Sequence, residues 1–399
     1  MKKIISFFTA LSFVAGCSTA PYTGRSQVIL VSEGQEASLG DDAYRHVLRD
    51  SVVTRSPEAE RVVRKVGERI AAVANKPGYK WEFTVINDPE MVNAFAVPGG
   101  KVAVYTGIFS AARDEAGLAV VLGHEVAHAL ARHPAERMSQ GLLLQLGGVG
   151  IGMALGKNPA VANQVMQVYG IGAGVGVLLP FSRSQETEAD RIGLILMAKA
   201  GYDPRVALQV WERMEKQEGG QGAPPEFLST HPGYETRTQQ LRKFMPEALA
   251  HYRPSNARVE LLPSAESVDT PAARSERELL KRIAAINHFV AEQNGERPVV
   301  EALARELRVN PQAVFKERQQ LQVGYGQYTA LRGVSFLGRG SINKIVADYQ
   351  RGRPWSEIIQ SHGTGANDLA QWIGNVMRTT NNVARQLRSQ QPQSAPRIR

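Results

Sequence analysis

Five residues in the middle of the chain, His124-Glu125-Val126-Ala127-His128, have the types and spacing of a metal site. Histidines four apart on a helix share a face, so both imidazoles can aim at one point. Two neutral imidazoles are two of the three protein ligands a catalytic zinc takes, with the fourth place left for water. Glu125 lies between them, placed to take a proton from that water. The flanking residues Leu118, Val120, Val121, Leu122, Val126, Ala127 and Ala129 are apolar or small. A glutamate and two histidines on so apolar a helix would be costly to bury without a role. The motif alone also fits a chance match on a surface helix, so a third ligand must be found elsewhere.

Glu186-Thr187-Glu188-Ala189-Asp190 can supply it. Glu186 and Asp190 are four apart and face one way. Glu186 could ligate while Asp190 accepts a hydrogen bond from the far nitrogen of a zinc histidine. Glu188 is expected to turn away as a solvated charge. Further on, His231 is held by Pro232, with Arg237 behind it. His231 is either a donor to an oxyanion or a surface-loop histidine.

The elements that must position these groups can be read from periodicity. The first histidine pair falls on a helix capped by Asp114, running to Arg132 and stopped by His133-Pro134. Glu186 falls on a helix from about Ser184 to Ala200, ended by Gly201, with another helix over Pro204 to Gln217. Upstream, Ser32 to about Ala74 reads as helical, with Val62, Val63, Val66 and Ile70 at spacings of three and four. Trp81 to Ile86 alternates as a strand. Asn93-Ala94-Phe95-Ala96-Val97, Pro98-Gly99-Gly100 and Lys101 to Tyr105 read as a hairpin. Gly141 to Leu179 is Gly-rich and apolar, and is either a pair of core or lid helices or a membrane-inserted hairpin.

Taken in order, these motifs resemble the gluzincin metallopeptidases of the HtpX, Oma and CAAX-prenyl-protease type, over roughly Tyr22 to Ala250. Four segments carry the likeness: Asn93-Ala94-Phe95 with Pro98-Gly99-Gly100, His124 to His128, Glu186 with Asp190, and His231-Pro232 with Arg237. The resemblance implies one Zn2+ per chain on His124, His128 and Glu186, Glu125 as general base, and Asp190 and Arg237 as supports. It implies His231 as a transition-state donor, and Asn93, Ala94, Phe95 and Ala96 as an edge on which an extended substrate pairs. No multi-span membrane architecture is evident, so the likeness is to a soluble, lipid-anchored branch.

The 399 residues allow two or three domains. With 43% hydrophobic and 21% charged residues, the chain has the balance of a folded soluble protein. The formal net charge of +9 favours anionic partners. Cys17 is the one cysteine, which excludes an internal disulfide and any cysteine metal cluster. Met1-Lys2-Lys3, an apolar Ile4–Val14 run and Val14-Ala15-Gly16-Cys17 resemble a bacterial lipobox. Lipidation at Cys17 would anchor the chain, and Ser18 after it favours the periplasmic face of the outer membrane.

The expected fold class is α+β, a zincin-like metalloprotease domain with a C-terminal helical accessory domain. The division runs 1–16 signal peptide, 17–31 lipidated tether, 32–253 metallopeptidase, 254–275 linker, 276–387 helical domain and 388–399 basic tail. Pro298 to Gln320 has a helix-turn-helix look, but an exported lipoprotein never meets the chromosome, so no nucleic-acid partner is expected. The helical region reads as a docking module. The expected activity is zinc-dependent endoproteolysis of envelope proteins in quality control, by protein or peptide binding in the groove. The alternative is a lipoprotein chaperone or assembly factor that binds extended strands with little cleavage. Substrate and oligomeric state are not encoded in any motif.

Overall fold

The computed structural model describes residues 17–146, 181–218, 227, 231, 234–254, 259–292 and 295–389. The Ile4–Val14 run, nearly all of the basic tail and nearly all of Gly141–Leu179 lie outside the described residues.

Two helices precede the sheet: α1 (Glu33–Arg49) and α2 (Pro57–Ala74). Ser32 and Gln35 form a reciprocal capping box on α1, and Ser56 caps α2 with Pro57 at its first position. Val62, Val63, Val66 and Ile70 are all buried, as their spacing predicts. Three strands follow: β3 (Glu82–Ile86), β4 (Ala94–Val97) and β5 (Lys101–Tyr105). β5 is central, parallel to β3 and antiparallel to β4. The β4–β5 turn needs the left-handed region at Gly99 (φ 94°) and Gly100 (φ 92°). β4 is therefore a sheet edge, in register Ala94 with Val104 and Ala96 with Val102.

After a short helix α3 (Phe109–Ala112), α4 (Glu115–Leu130) runs wholly buried through the centre, capped by the Asp114 carboxylate on the Gly117 amide at 2.8 Å. His133-Pro134 does not simply stop it. Arg132 turns the chain through a left-handed residue (φ 56°), and α5 (His133–Leu146) starts at once. Proline is well tolerated there because the first turn of a helix has no internal partner for its missing N–H. α6 (Arg183–Lys199), α7 (Val206–Glu218) and α8 (Tyr234–His251) complete this layer. α4 and α6 cross at Gly123 and Gly193, where a Cβ on Gly193 would lie 2.9 Å from the His124 amide nitrogen.

The segment expected as a tether is structured. β1 (Cys17–Thr19) and β2 (Ser26–Val28) pair antiparallel, and Ala20, Ile29 and Val31 are buried. The polarity of Ser18 to Ser26 misleads because its charge, Arg25, is spent on buried carboxylates of α5 and α6.

The stretch read as a linker also folds onto the first layer. The Glu115 amide donates to the Glu260 carbonyl, the Leu262 amide to Arg113, and the Asn87 side chain to the Val268 carbonyl of α9 (Ala265–Val268). A separate apolar core then gathers α10 (Pro271–Glu292), α11 (Arg297–Leu307), α12 (Pro311–Leu321), α13 (Tyr325–Leu337), α14 (Ile342–Gln350), α15 (Trp355–Ser361) and α16 (Ala366–Ser389). The fold is α+β with a C-terminal helical region. Among the described residues, no helix is long and apolar enough to cross a membrane.

Candidate metal centre

His124 and His128 project from one face of α4, with Nε2 atoms 3.0 Å apart. Glu186 comes from the first turn of α6, its oxygens 3.3 Å from His128 Nε2 and 3.5 Å from His124 Nε2. His231 arrives from the other side, its Nδ1 3.0 Å from Glu186 Oε1 and 3.2 Å from His124 Nε2. One donor atom from each of these four buried groups lies within 4.8 Å of the others. A borderline-soft divalent cation is held by such a nitrogen and carboxylate set. Among the described residues, Glu186 Oε2 is buried with no hydrogen bond, the Arg237 guanidinium lying 3.3 Å away, a shortfall that a cation in the cluster would satisfy. The residues fit a metal ion.

Glu125 faces the same space. Among the described residues its Oε1 is buried without a hydrogen-bond partner, and it lies 3.5 Å from His231 Nε2. Burial pushes its carboxyl up, against the pull of His231 and His124 and a polar contact from the Ala96 backbone. That contact brings β4 to the general-base candidate. Ala94 and Ala96 are buried in the first core, Phe95 packs between Tyr44 and Tyr105, and the Asn93 side chain accepts from the Ala94 amide at 2.8 Å.

Asp190 sits behind His124, its carboxylate 3.0 Å from Nδ1, as the i to i+4 spacing predicts. Arg237 donates to Asp190 at 2.7 Å and to the His231 carbonyl at 3.1 Å, and lies over the Trp211 ring at 3.5 Å. Burial opposes the charge of His124, His128 and Glu186. Even so, Asp190 and Glu186 push His124 up to about 9, while burial drives His128 well down. Burial would raise Glu186, but the three surrounding histidines hold it well below the usual range.

Glu188 is where the structure departs most from expectation. It is not a solvated charge: it is 5% exposed. It accepts from His133 Nε2 at 2.9 Å, from Arg25 Nε at 2.7 Å and from the Thr23 hydroxyl. Burial raises its carboxyl, but these donors win and bring it to about 2. The helical phase does turn Glu188 from the Glu186 face, but the opposite face of α6 packs against the start of α5. Sequence reasoning also misses His133, Arg25 and the aromatic wall of Phe181, Trp211 and Phe227 around the histidines. His133, five residues beyond His128, carries a signal only if Pro134 is read as a helix start.

The constellation is that of a metal-dependent hydrolase, and the comparisons narrow it. The profile of peptidase family M48 matches residues 57–245. The chain is 36% identical over 266 residues to the mitochondrial metalloendopeptidase OMA1 of Schizosaccharomyces pombe, covering 66% of this chain and 75% of that one. It is 35% identical over 274 residues to the mitochondrial metalloendopeptidase OMA1 of Saccharomyces cerevisiae, covering 62% and 77%. It is 30% identical over 237 residues to the beta-barrel assembly-enhancing protease of Escherichia coli, covering 58% of this chain and 48% of that one. The chain belongs to peptidase family M48. It is a metalloendopeptidase, and its substrates are proteins or peptides.

Proposed function

We propose that the chain is a zinc endopeptidase of a bacterial envelope that cleaves extended segments of unfolded or unassembled envelope proteins. The observation that carries this reading is the convergence of His124, His128 and Glu186 beside the buried carboxylate of Glu125, whose Oε1 has no hydrogen bond among the described residues. His124, His128 and Glu186 would hold the metal. Bound zinc supplies Lewis acidity at the attacking water and the scissile carbonyl. Glu125 takes the proton of that water and passes it to the leaving amine, a task suited to a carboxyl raised by burial. His231 Nε2, facing Glu125, donates to the developing oxyanion. Asp190, braced by Arg237, keeps His124 oriented.

The edge of β4, which has no second strand partner among the described residues, would pair with an extended substrate and lay its carbonyl beside Glu125. A stretched backbone is what an unfolded chain offers and a folded one does not. Envelope location rests on the lipobox-like run ending at Cys17. It is also supported by likeness to a protease of Escherichia coli named for β-barrel assembly. We assign Cys17 as the lipid attachment site, with residues 32–253 as the peptidase unit and 276–387 as an accessory helical unit.

Incubating the purified chain with casein, with and without a zinc chelator, tests the reading. Cleavage that stops with the chelator and returns with added Zn2+ is expected. Persistent cleavage in the chelator would overturn the metal requirement, and no cleavage under any metal would overturn the reading in favour of strand binding without hydrolysis.

A further inference from the structure

Both α4 histidines have a carboxylate from α6 behind them, but they reach it differently. His124 touches Asp190 directly. His128 has His133 in between: His128 Nδ1 lies 2.9 Å from His133 Nδ1, and His133 Nε2 lies 2.9 Å from Glu188 Oε2. His128, His133 and Glu188 are all buried.

The proton positions along this row follow from what each atom can do. An ionised carboxylate only accepts, so His133 Nε2 carries the hydrogen that Glu188 receives. A neutral His133 then has a bare Nδ1, which must accept. His128 Nδ1 therefore donates, and His128 Nε2 is left as a bare lone pair. That nitrogen is the one facing His124 and Glu186, at 3.0 Å and 3.3 Å. The opposite arrangement, with His133 donating to His128, would put a hydrogen on His128 Nε2 and block it as a ligand. The direction of this row is set at its far end by Glu188. Glu188 is held in turn by Thr23 and by Arg25, whose guanidinium also grips Glu136 at 2.7 Å and 2.8 Å.

We propose that His133 is a positioning residue that fixes the tautomer and orientation of His128. Glu188, clamped by the N-terminal turn at Thr23 and Arg25, fixes His133. The segment that follows Cys17 thereby braces the site, and the stretch nearest the proposed anchor is part of the metal centre's support. This inference rests on the reading of His128 as a metal ligand.

The test uses the full chain, with metal affinity measured by chelator competition and the visible absorption band recorded after Co2+ substitution. Unlike a loss of stability, a changed cobalt band reports on the ligand geometry itself. His133→Phe keeps an aromatic ring, somewhat larger than the imidazole, but removes both nitrogens. Glu188→Gln keeps the shape but can offer a donor and carries no charge. In folded variants, zinc affinity about 10- to 100-fold weaker and a shifted cobalt band are expected. His128→Ala is the reference for loss of the ligand. Native affinity and an unshifted band in His133→Phe, with His128→Ala impaired, would overturn the inference. If His133→Phe does not fold, Glu188→Gln decides by the same criterion. A wild-type chain that binds no metal would instead remove the reading of the site on which the inference stands.

Discussion

His231 is the residue whose surroundings most restrict its possible roles. Its Nδ1 is within 3.2 Å of two candidate ligands while Nε2 faces Glu125 at 3.5 Å. In the proposed role of oxyanion donor, it would contribute to turnover but not to holding the ion. His231→Ala should lower kcat by about 100- to 1000-fold while one metal per chain remains, as measured by steady-state cleavage and elemental analysis. Loss of the metal together with activity would make it a ligand instead. The residues most legible in the sequence are those whose relation is helical. His124 with His128, and Glu186 with Asp190, are each four apart and need only the period of a helix to be seen as a pair. His133 and Glu188 are 55 positions apart and meet only because α5 starts where a stop is expected. No local spacing marks such a pair, and the period that reveals Asp190 makes Glu188 look idle.

Among the elements, the crossing of α4 and α6 sets the distance between the histidines and Glu186. The two backbones meet at Gly123 and Gly193, where either Cβ would come within 2.9 Å of the other helix. Both groups of ligands lie within two turns of this contact. Gly193→Ala forces the helices apart, an overpacking cost of about 1–3 kcal/mol. A fall in thermal midpoint together with weaker zinc binding is the expected pair of results. A variant with native metal affinity would show that the crossing does not set the site. This dependence is hidden in the sequence, because a glycine inside a helix reads only as a weak propensity. The β4–β5 hairpin, by contrast, is legible from Pro98-Gly99-Gly100 between two apolar runs, since only glycine adopts that turn without strain.

In the whole molecule, every residue proposed for the chemistry precedes Pro254, but the contacts that support them do not. Glu260, Leu262 and Val268 make backbone contacts with the first turn of α4, with Arg113 and with Asn87. Arg277 of α10 reaches the Asn87 carbonyl at 3.2 Å and pairs with Asp269. Arg49 of α1 stacks over Tyr349 of α14 at 4.6 Å. A chain ending at Arg253 should keep the metal cluster but lose stability, about 1 kcal/mol for each hydrogen bond removed. Extending it to Thr270 should restore part of the thermal midpoint, by calorimetry of the two truncations beside the full chain. Equal midpoints for the two truncations would show that the 254–270 stretch adds nothing. The composition of this stretch, rich in proline, serine and alanine, suggests a spacer because most of its bonds to the first layer are made by backbone groups, which composition does not report, beside the Glu260 carboxylate on Arg61 and Lys65.

The central claim is that Glu125 does the proton chemistry at a metal held by His124, His128 and Glu186. Glu125→Gln tests it most directly, with metal per chain and casein cleavage measured on the same preparation. An amide matches the carboxylate in size but cannot take the proton of water. One zinc per chain with cleavage reduced by several orders of magnitude is the predicted result. Wild-type cleavage in a variant carrying its full zinc would contradict the account.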